Sequence, residues 1–71
     1  MITSEMIKKR FIEAIKQSGM TQTDLAEKVN VTQSSIAHYV RGDIMPALDT
    51  FANICKVLDV DANDILGIRE I

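Results

Sequence analysis

The sequence predicts an all-α fold, a compact domain of five short helices. Three observations support this: apolar residues recur every three or four positions, capping residues and glycines divide the chain into helix-sized segments, and no segment alternates as a strand would. The chain has 71 residues, of which 46% are apolar, enough for one core and well outside a disordered composition. We therefore expect residues 1–71 to form a single domain.

Helix one is predicted from about Ser4 to Ser18. Thr3 or Ser4 can cap its start, and Gly19 can end it because glycine adopts the left-handed conformation without a Cβ penalty. Its apolar stripe consists of Ile7, Phe11, Ala14 and Ile15.

Residues 21–42 predict two further helices joined by a tight turn. Thr21 followed by Asp24 matches a capping pattern, and Thr32 can cap the next helix in the same way. Asn30 tolerates a positive φ at the turn, and Gly42 closes the third helix. The inner face of helix two consists of Leu25, Ala26 and Val29.

Pro46 marks the break before helix four, which is predicted from about Leu48 to Leu58. Ala47 provides only a weak cap at its start. The inner stripe is predicted to contain Leu48, Phe51, Ile54, Cys55 and Leu58. A last helix is predicted over residues 62–66, with Asp61 as the N-cap and Gly67 as the stop.

Helix three separates apolar and polar side chains more sharply than its neighbours. Ile36 and Tyr39 lie three apart and can face inward, with the tyrosine half-buried. The polar set on the other side comprises Gln33, Ser34, His38 and Arg41. Such a face can be merely solvated, but its amide, hydroxyl and imidazole groups are also suited to reading base edges in a major groove.

Charge is distributed unevenly along the chain, whose net charge is -2. Residues 1–42 hold six Lys/Arg and four Asp/Glu, whereas residues 43–71 hold two and six. The acidic balance argues mildly against a nucleic-acid partner, but the half that contains helix three is positive. A basic run, Lys8-Lys9-Arg10, is either an exposed face or a contact to a nucleic-acid backbone.

Composition argues against several other classes of protein. No apolar run approaches a membrane span, and the start lacks the apolar segment of a signal peptide. Cys55 is the only cysteine, so no internal disulfide or zinc-binding cysteine pair can form, and we expect it to be buried as a small hydrophobe. With one histidine and no catalytic constellation, we expect a cytoplasmic non-enzyme with no metal, cofactor, membrane partner or small-molecule ligand.

The ordered motifs resemble the helix-turn-helix of the phage Cro and repressor (XRE-like) family. The matching segments are Gly19-Met20-Thr21-Gln22, Asp24-Leu25-Ala26, Val31 to Ile36, Tyr39, Arg41-Gly42, Pro46 to Phe51, Leu58-Asp59-Val60 and Asp64 to Gly67. This likeness covers about residues 5–67. It implies a lambda-repressor-like five-helix domain that binds operator DNA, usually as a symmetric homodimer.

The resemblance also implies roles for individual residues. Gln33, Ser34 and His38 match base-reading positions of the family. The positions that match or flank its DNA-backbone contacts are Gln22, Lys28, Thr32 and Arg41. A Cro-like repressor that binds an inverted-repeat operator is therefore expected.

Two departures from the family pattern stand out. Ile15 and Val40 stand where many relatives have a buried Arg–Glu pair. Because both positions are apolar here, no buried charge is left without a partner. The loop after helix three has Asp43, Ile44 and Met45 where relatives often place cations that touch phosphate.

Apolar residues in exposed places leave a second interpretation open. Ile44 and Met45 either fold back on the core or form a contact with a dimer partner or another protein, and Ile68 and Ile71 have no obvious core position. An antitoxin or regulatory adaptor that acts mainly by protein–protein contact is therefore the alternative function.

Overall fold

The computed structural model describes residues 1–69 and contains five α-helices in this range. They are α1 (Ser4–Gln17), α2 (Gln22–Val29), α3 (Gln33–Arg41), α4 (Leu48–Leu58) and α5 (Ala62–Leu66). No strand occurs among these residues. The all-α prediction is confirmed, and helix one ends one residue earlier than predicted. Ile71 lies outside the described residues.

Side chains cap four of the five helices. The Thr21 hydroxyl accepts a hydrogen bond from the Asp24 N–H at 3.0 Å, and the Thr32 hydroxyl accepts one from Ser35 at 3.1 Å. Thr3 caps α1 and Asp61 caps α5 in the same manner, whereas Ala47 offers α4 no side-chain cap. These bonds satisfy N–H groups that have no partner within the helix, and they fix where each helix begins.

Four of the described helices, α2 to α5, end in the same backbone motif. A residue with positive φ follows the helix, and the next N–H returns to a carbonyl five residues back. Asn30 (φ 58°) ends α2, Gly42 (φ 82°) ends α3 and Gly67 (φ 77°) ends α5, as predicted. Asp59 (φ 57°) ends α4, which the sequence did not predict. These turns reverse the chain tightly enough to place α2, α3 and α4 around one core.

All three aromatic residues of the chain meet in that core. The centroid of the Phe11 ring lies 5.5 Å from that of Phe51 and 6.3 Å from that of Tyr39, and both ring pairs are tilted. The largest fully buried side chains are Phe11, Leu25, Ile36 and Ile54. Helix α2 packs against α3 and α4, and α1 packs against α3 and α5. Helix α3 is therefore held in place by contacts with both α1 and α2.

Two core expectations require correction. Leu48 was predicted on the inner stripe of α4 but is 84% exposed, because it is the first residue of that helix and lies beside an exposed loop. A stripe shows which side of a helix faces inward, but not how far the neighbouring helices extend along it. Tyr39 is buried, not half-buried.

The apolar exchange at the family's ion-pair positions fits this core. Ile15 is buried and Val40 is partly buried against the same cluster, and no charged side chain is buried among residues 1–69. None of the described helices is long and apolar enough to cross a membrane.

Burial predicts which apolar residues matter for stability. We expect Ile36→Val to lower the free energy of unfolding by about 0.5–1.5 kcal/mol, because it removes a methylene group from a fully buried site. Leu48→Ala removes more carbon, yet it should change stability by less than about 0.5 kcal/mol because Leu48 is exposed. Urea unfolding of both variants measures this contrast, and a larger loss for Leu48→Ala would contradict the assigned packing.

Candidate nucleic-acid interface

Helix α3 presents one polar side to solvent and is anchored by its other side. Ile36 is fully buried and Tyr39 is nearly so, which fixes the rotation of the helix about its axis. On the opposite side Gln33 and Ser34 are exposed, and the His38 side chain is 42% exposed. The three predicted base-reading residues therefore lie on the accessible part of one rigid helix.

Gln22 and Gln33 join the starts of α2 and α3. The Gln33 Nε2 group donates a hydrogen bond of 2.7 Å to the Gln22 Oε1 atom, between residues eleven positions apart in the chain. The bond leaves Gln33 its amide oxygen and one N–H, and it leaves Gln22 its NH₂ group. A predicted base-reading residue and a predicted backbone-contact residue are thus brought together.

The other predicted backbone contacts differ in their surroundings. Lys28 is exposed in the last turn of α2. Thr32 is exposed, but its hydroxyl already caps α3 and lies 2.9 Å from the Ser35 hydroxyl. The Thr32 oxygen accepts from the Ser35 N–H with one lone pair, and the Ser35 hydroxyl engages either its proton or its second lone pair. Only the remaining one of these two is available to another group.

His38, Arg41 and Asp43 form a cluster at the end of α3, here called the Asp43 cluster. The Asp43 Oδ2 atom lies 3.1 Å from His38 Nδ1 and 3.0 Å from Arg41 Nε. The Arg41 Nη2 group lies 2.9 Å from the same His38 nitrogen. Two predicted DNA-contact residues therefore share an acidic partner within the protein.

The charge of Asp43 is stabilised within this cluster. Hydrogen bonds from Arg41 and, to a smaller extent, from His38 lower the pKa of the Asp43 carboxyl below its ordinary value. In the sequence, Asp43 stands out only because it occupies a loop where relatives often have a cation. The available signal was the order His38, Arg41, Gly42, Asp43, because a left-handed glycine after a helix turns the next residue back towards its last turn.

The basic run near the start of α1 does not act as one surface. Lys8 pairs with Glu5 at 3.5 Å, and Lys9 is exposed. Arg10 instead points towards the end of α5, where a Cβ atom added to Gly67 would lie 2.8 Å from its Nη1 atom. Only part of the run is therefore free to meet a nucleic-acid backbone.

Apolar side chains are exposed in the loop after α3 and beyond α5. Ile44 is 48% exposed, Met45 is 38% exposed and Ile68 is 62% exposed. Leu48, at the start of α4, lies close to this loop in the chain and is also exposed. The loop does not fold back on the core, so the side chains of Ile44 and Met45 are accessible to another protein.

Cys55 has the environment expected of a core residue. Its side chain is buried, and burial, with a smaller effect from the Asp61 charge, raises the pKa of the thiol above its ordinary value. A thiol with a raised pKa is a poor nucleophile at neutral pH. Among residues 1–69, no group of three or more His, Cys, Asp or Glu side chains could hold a metal ion.

Comparison with known proteins identifies the family. A protein-family sequence model described as "Helix-turn-helix" matches residues 11–65, which is more than half of the chain. The chain belongs to the helix-turn-helix family of the phage Cro/repressor (XRE-like) type. Family membership supports a DNA-binding transcriptional regulator, and helix-turn-helix domains of this type are typically non-enzymatic.

Two relatives from Bacillus subtilis (strain 168) carry names of the same kind. The chain is 32% identical over 63 residues to the HTH-type transcriptional regulator ImmR, a match that covers 89% of this chain and 50% of ImmR. It is 30% identical over 64 residues to the uncharacterized HTH-type transcriptional regulator YgzD, covering 90% of this chain and 97% of YgzD. The chain thus spans about half the length of ImmR. No solved structure gives a comparable match.

The Asp43 cluster predicts a measurable titration. We expect Arg41→Ala to raise the pKa of Asp43 towards its ordinary value, and His38→Ala to raise it less, since the Arg41 hydrogen bond is the largest cause of the shift. Because the pKa is lowered in the folded state, the cluster favours folding above the ordinary value of 3.8, and this contribution fades as the pH falls through the folded pKa. Carboxyl NMR of the wild type and both variants measures the midpoints; unchanged values would contradict the cluster.

Proposed function

We propose that the chain is a cytoplasmic transcriptional regulator that binds a specific operator as a homodimer, most simply as a Cro-like repressor. The observation that carries the proposal is the exposed polar side of α3, held in place by buried Ile36 beneath it. The hydrogen bond from Gln33 to Gln22 extends that side onto the start of α2. An ordered row of uncharged donors and acceptors is suited to direct readout of base edges.

In the proposed complex, α3 lies in the major groove. Gln33 pairs with adenine through its free amide oxygen and its remaining N–H, both of which stay available while the other N–H bonds Gln22. Ser34 and His38 meet neighbouring bases. Register on the phosphates comes from Gln22, Lys28, Thr32 and Arg41, together with the N–H groups at the start of α2.

Two copies would read two half-sites about one helical turn, roughly 34 Å, apart, so the operator would be an inverted repeat. For the surface between the copies we propose the exposed apolar residues Ile44, Met45 and Ile68. Ile44 and Met45 are adjacent in the chain and both exposed, and neighbouring apolar side chains at a protein surface often mark interfaces because burying them is favourable.

Base reading and backbone contact predict different behaviour. Gln33→Ala should cost about 1–3 kcal/mol on the operator and relax sequence choice at one position, because it removes a direct base contact. Selection of bound sequences from a random DNA pool, followed by affinity measurements on the selected site, tests this directly.

Lys28→Ala is the matched comparison. It should weaken binding to all sequences alike and reduce the slope of log affinity against log salt by roughly one, because one phosphate contact is lost. If neither substitution alters DNA binding, α3 is not the recognition helix.

The proposed dimer surface can be tested with two methionines of similar exposure. Met45→Glu should shift the protein from dimer towards monomer and weaken binding to the full operator, because it places a charge in the interface. Met6→Glu, at a side chain 41% exposed on α1, should do neither. Sedimentation velocity and titration of full and half operators provide the measurements, and equal effects from the two variants would exclude this surface.

A protein-interaction module, such as an antitoxin or adaptor, is the second candidate. Exposed Ile44 and Met45 and the net charge of -2 favour it. A chain that binds operator-like and random DNA equally poorly but captures one specific protein through Met45 would support this candidate over the first.

A further inference from the structure

The turn after α3 brings Asp43 back against the helix. Gly42 has a φ of 82°, and the Asp43 N–H donates to the His38 carbonyl at 3.1 Å. The backbone of Asp43 is therefore fixed by the end of the helix, and its carboxylate lies 3.1 Å from the His38 ring. A longer or irregular loop would not hold a side chain in this place.

One ring nitrogen has two competing partners in this cluster. His38 Nδ1 lies 3.1 Å from the Asp43 Oδ2 atom and 2.9 Å from the Arg41 Nη2 group. An imidazole nitrogen either donates or accepts, so only one of these contacts can be a hydrogen bond at a time. Both partners are ionised, so both contacts are charge-assisted. Arg41 has five N–H groups and is 58% exposed, so its Nη2 group can bond water while its Nε group keeps the 3.0 Å bond to Asp43. A proton on Nδ1 then lets the ring bond the carboxylate as well.

We propose that Asp43 is a specificity-determining residue, because its carboxylate holds the proton of His38 on Nδ1 and leaves Nε2 as a hydrogen-bond acceptor. This inference rests on the proposed DNA-binding function. An acceptor on the reading side matches the amino groups that adenine and cytosine show in the major groove. The opposite tautomer would present a donor, which matches the guanine acceptors, the thymine O4 atom or the adenine N7 atom but not the cytosine amino group.

Asp43 also restrains the nearest cation. Arg41 is predicted to contact phosphate, yet its Nε group is bonded to the carboxylate. A carboxylate beside the DNA also repels the phosphates. The same residue should therefore sharpen base choice and weaken sequence-independent binding, a combination that few single residues would produce.

The tautomer can be measured without DNA. His38 is the only histidine, so ring nitrogen NMR of the wild-type protein at about pH 8, where free imidazole is neutral, reports it without ambiguity. We expect the proton on Nδ1 in the wild type, and a shift towards Nε2 in Asp43→Ala, where Arg41 can donate to Nδ1. A wild-type proton on Nε2 would overturn the proposal.

DNA binding then tests the specificity itself. The base position read by His38 is the one whose preference is lost in His38→Ala. In Asp43→Asn the amide can either donate or accept, so this preference should fall by about fivefold, while affinity for random DNA rises severalfold. Glu27→Gln removes the same charge from an exposed residue of α2 and should leave the preference intact.

A combined variant separates the possible failures. Asp43→Asn should cause no further loss of preference in the His38→Ala background, because Asp43 acts through the ring. A further loss, or an unchanged preference in Asp43→Asn alone, would overturn the specificity role while DNA binding stands. If the wild type selects no DNA sequence, the proposed function fails and the specificity role of Asp43 fails with it, whatever the tautomer.

Discussion

The packing of Phe11 is the contact on which the rest of the structure depends. Its ring is 1% exposed and lies against Tyr39 of α3 and Phe51 of α4, so one side chain of α1 joins two other helices. With only three aromatic residues in the chain, no other ring can replace it. Helix α3 has nine residues, too few to be stable alone in water, and its rotation and position come from this packing and from Ile36.

The fold could be predicted from the sequence because most of its signals are local. Thr21, Thr32 and Asp61 each act within three residues of their position, and Asn30 and Gly42 each end a helix by their own conformational freedom. Periodicity was less informative at the ends of helices. Leu48 has the right spacing for the core but lies where nothing covers it. Asp59 ends α4 with a positive φ that aspartate adopts only occasionally, which propensity alone does not predict.

The candidate site was predictable as a set of residues but not as a set of contacts. Family resemblance indicated Gln22 and Gln33, yet their hydrogen bond joins residues eleven positions apart and depends on how α2 and α3 cross. The Asp43 cluster depends on the backbone motif after α3 and on three side-chain orientations, which no spacing rule fixes. The exposure of Ile44 and Met45 likewise depends on the path of the loop. Pro46 predicts that the chain is not helical there, but it does not fix the path that the loop takes.

The charge of the chain has a consequence for how such an interface can work. Lys28 is exposed at the end of α2, but Arg41 is paired with Asp43, so the side of α3 carries less available positive charge than its sequence indicates. In the proposed complex, long-range attraction to phosphate is then weak, and affinity would come from short-range hydrogen bonds of Gln33, Ser34 and His38 and from backbone N–H groups at helix starts. Short-range bonds form only when donors and acceptors match. An interface of this composition therefore discriminates between sequences more than it attracts DNA in general, and the acidity of the chain is compatible with specific binding.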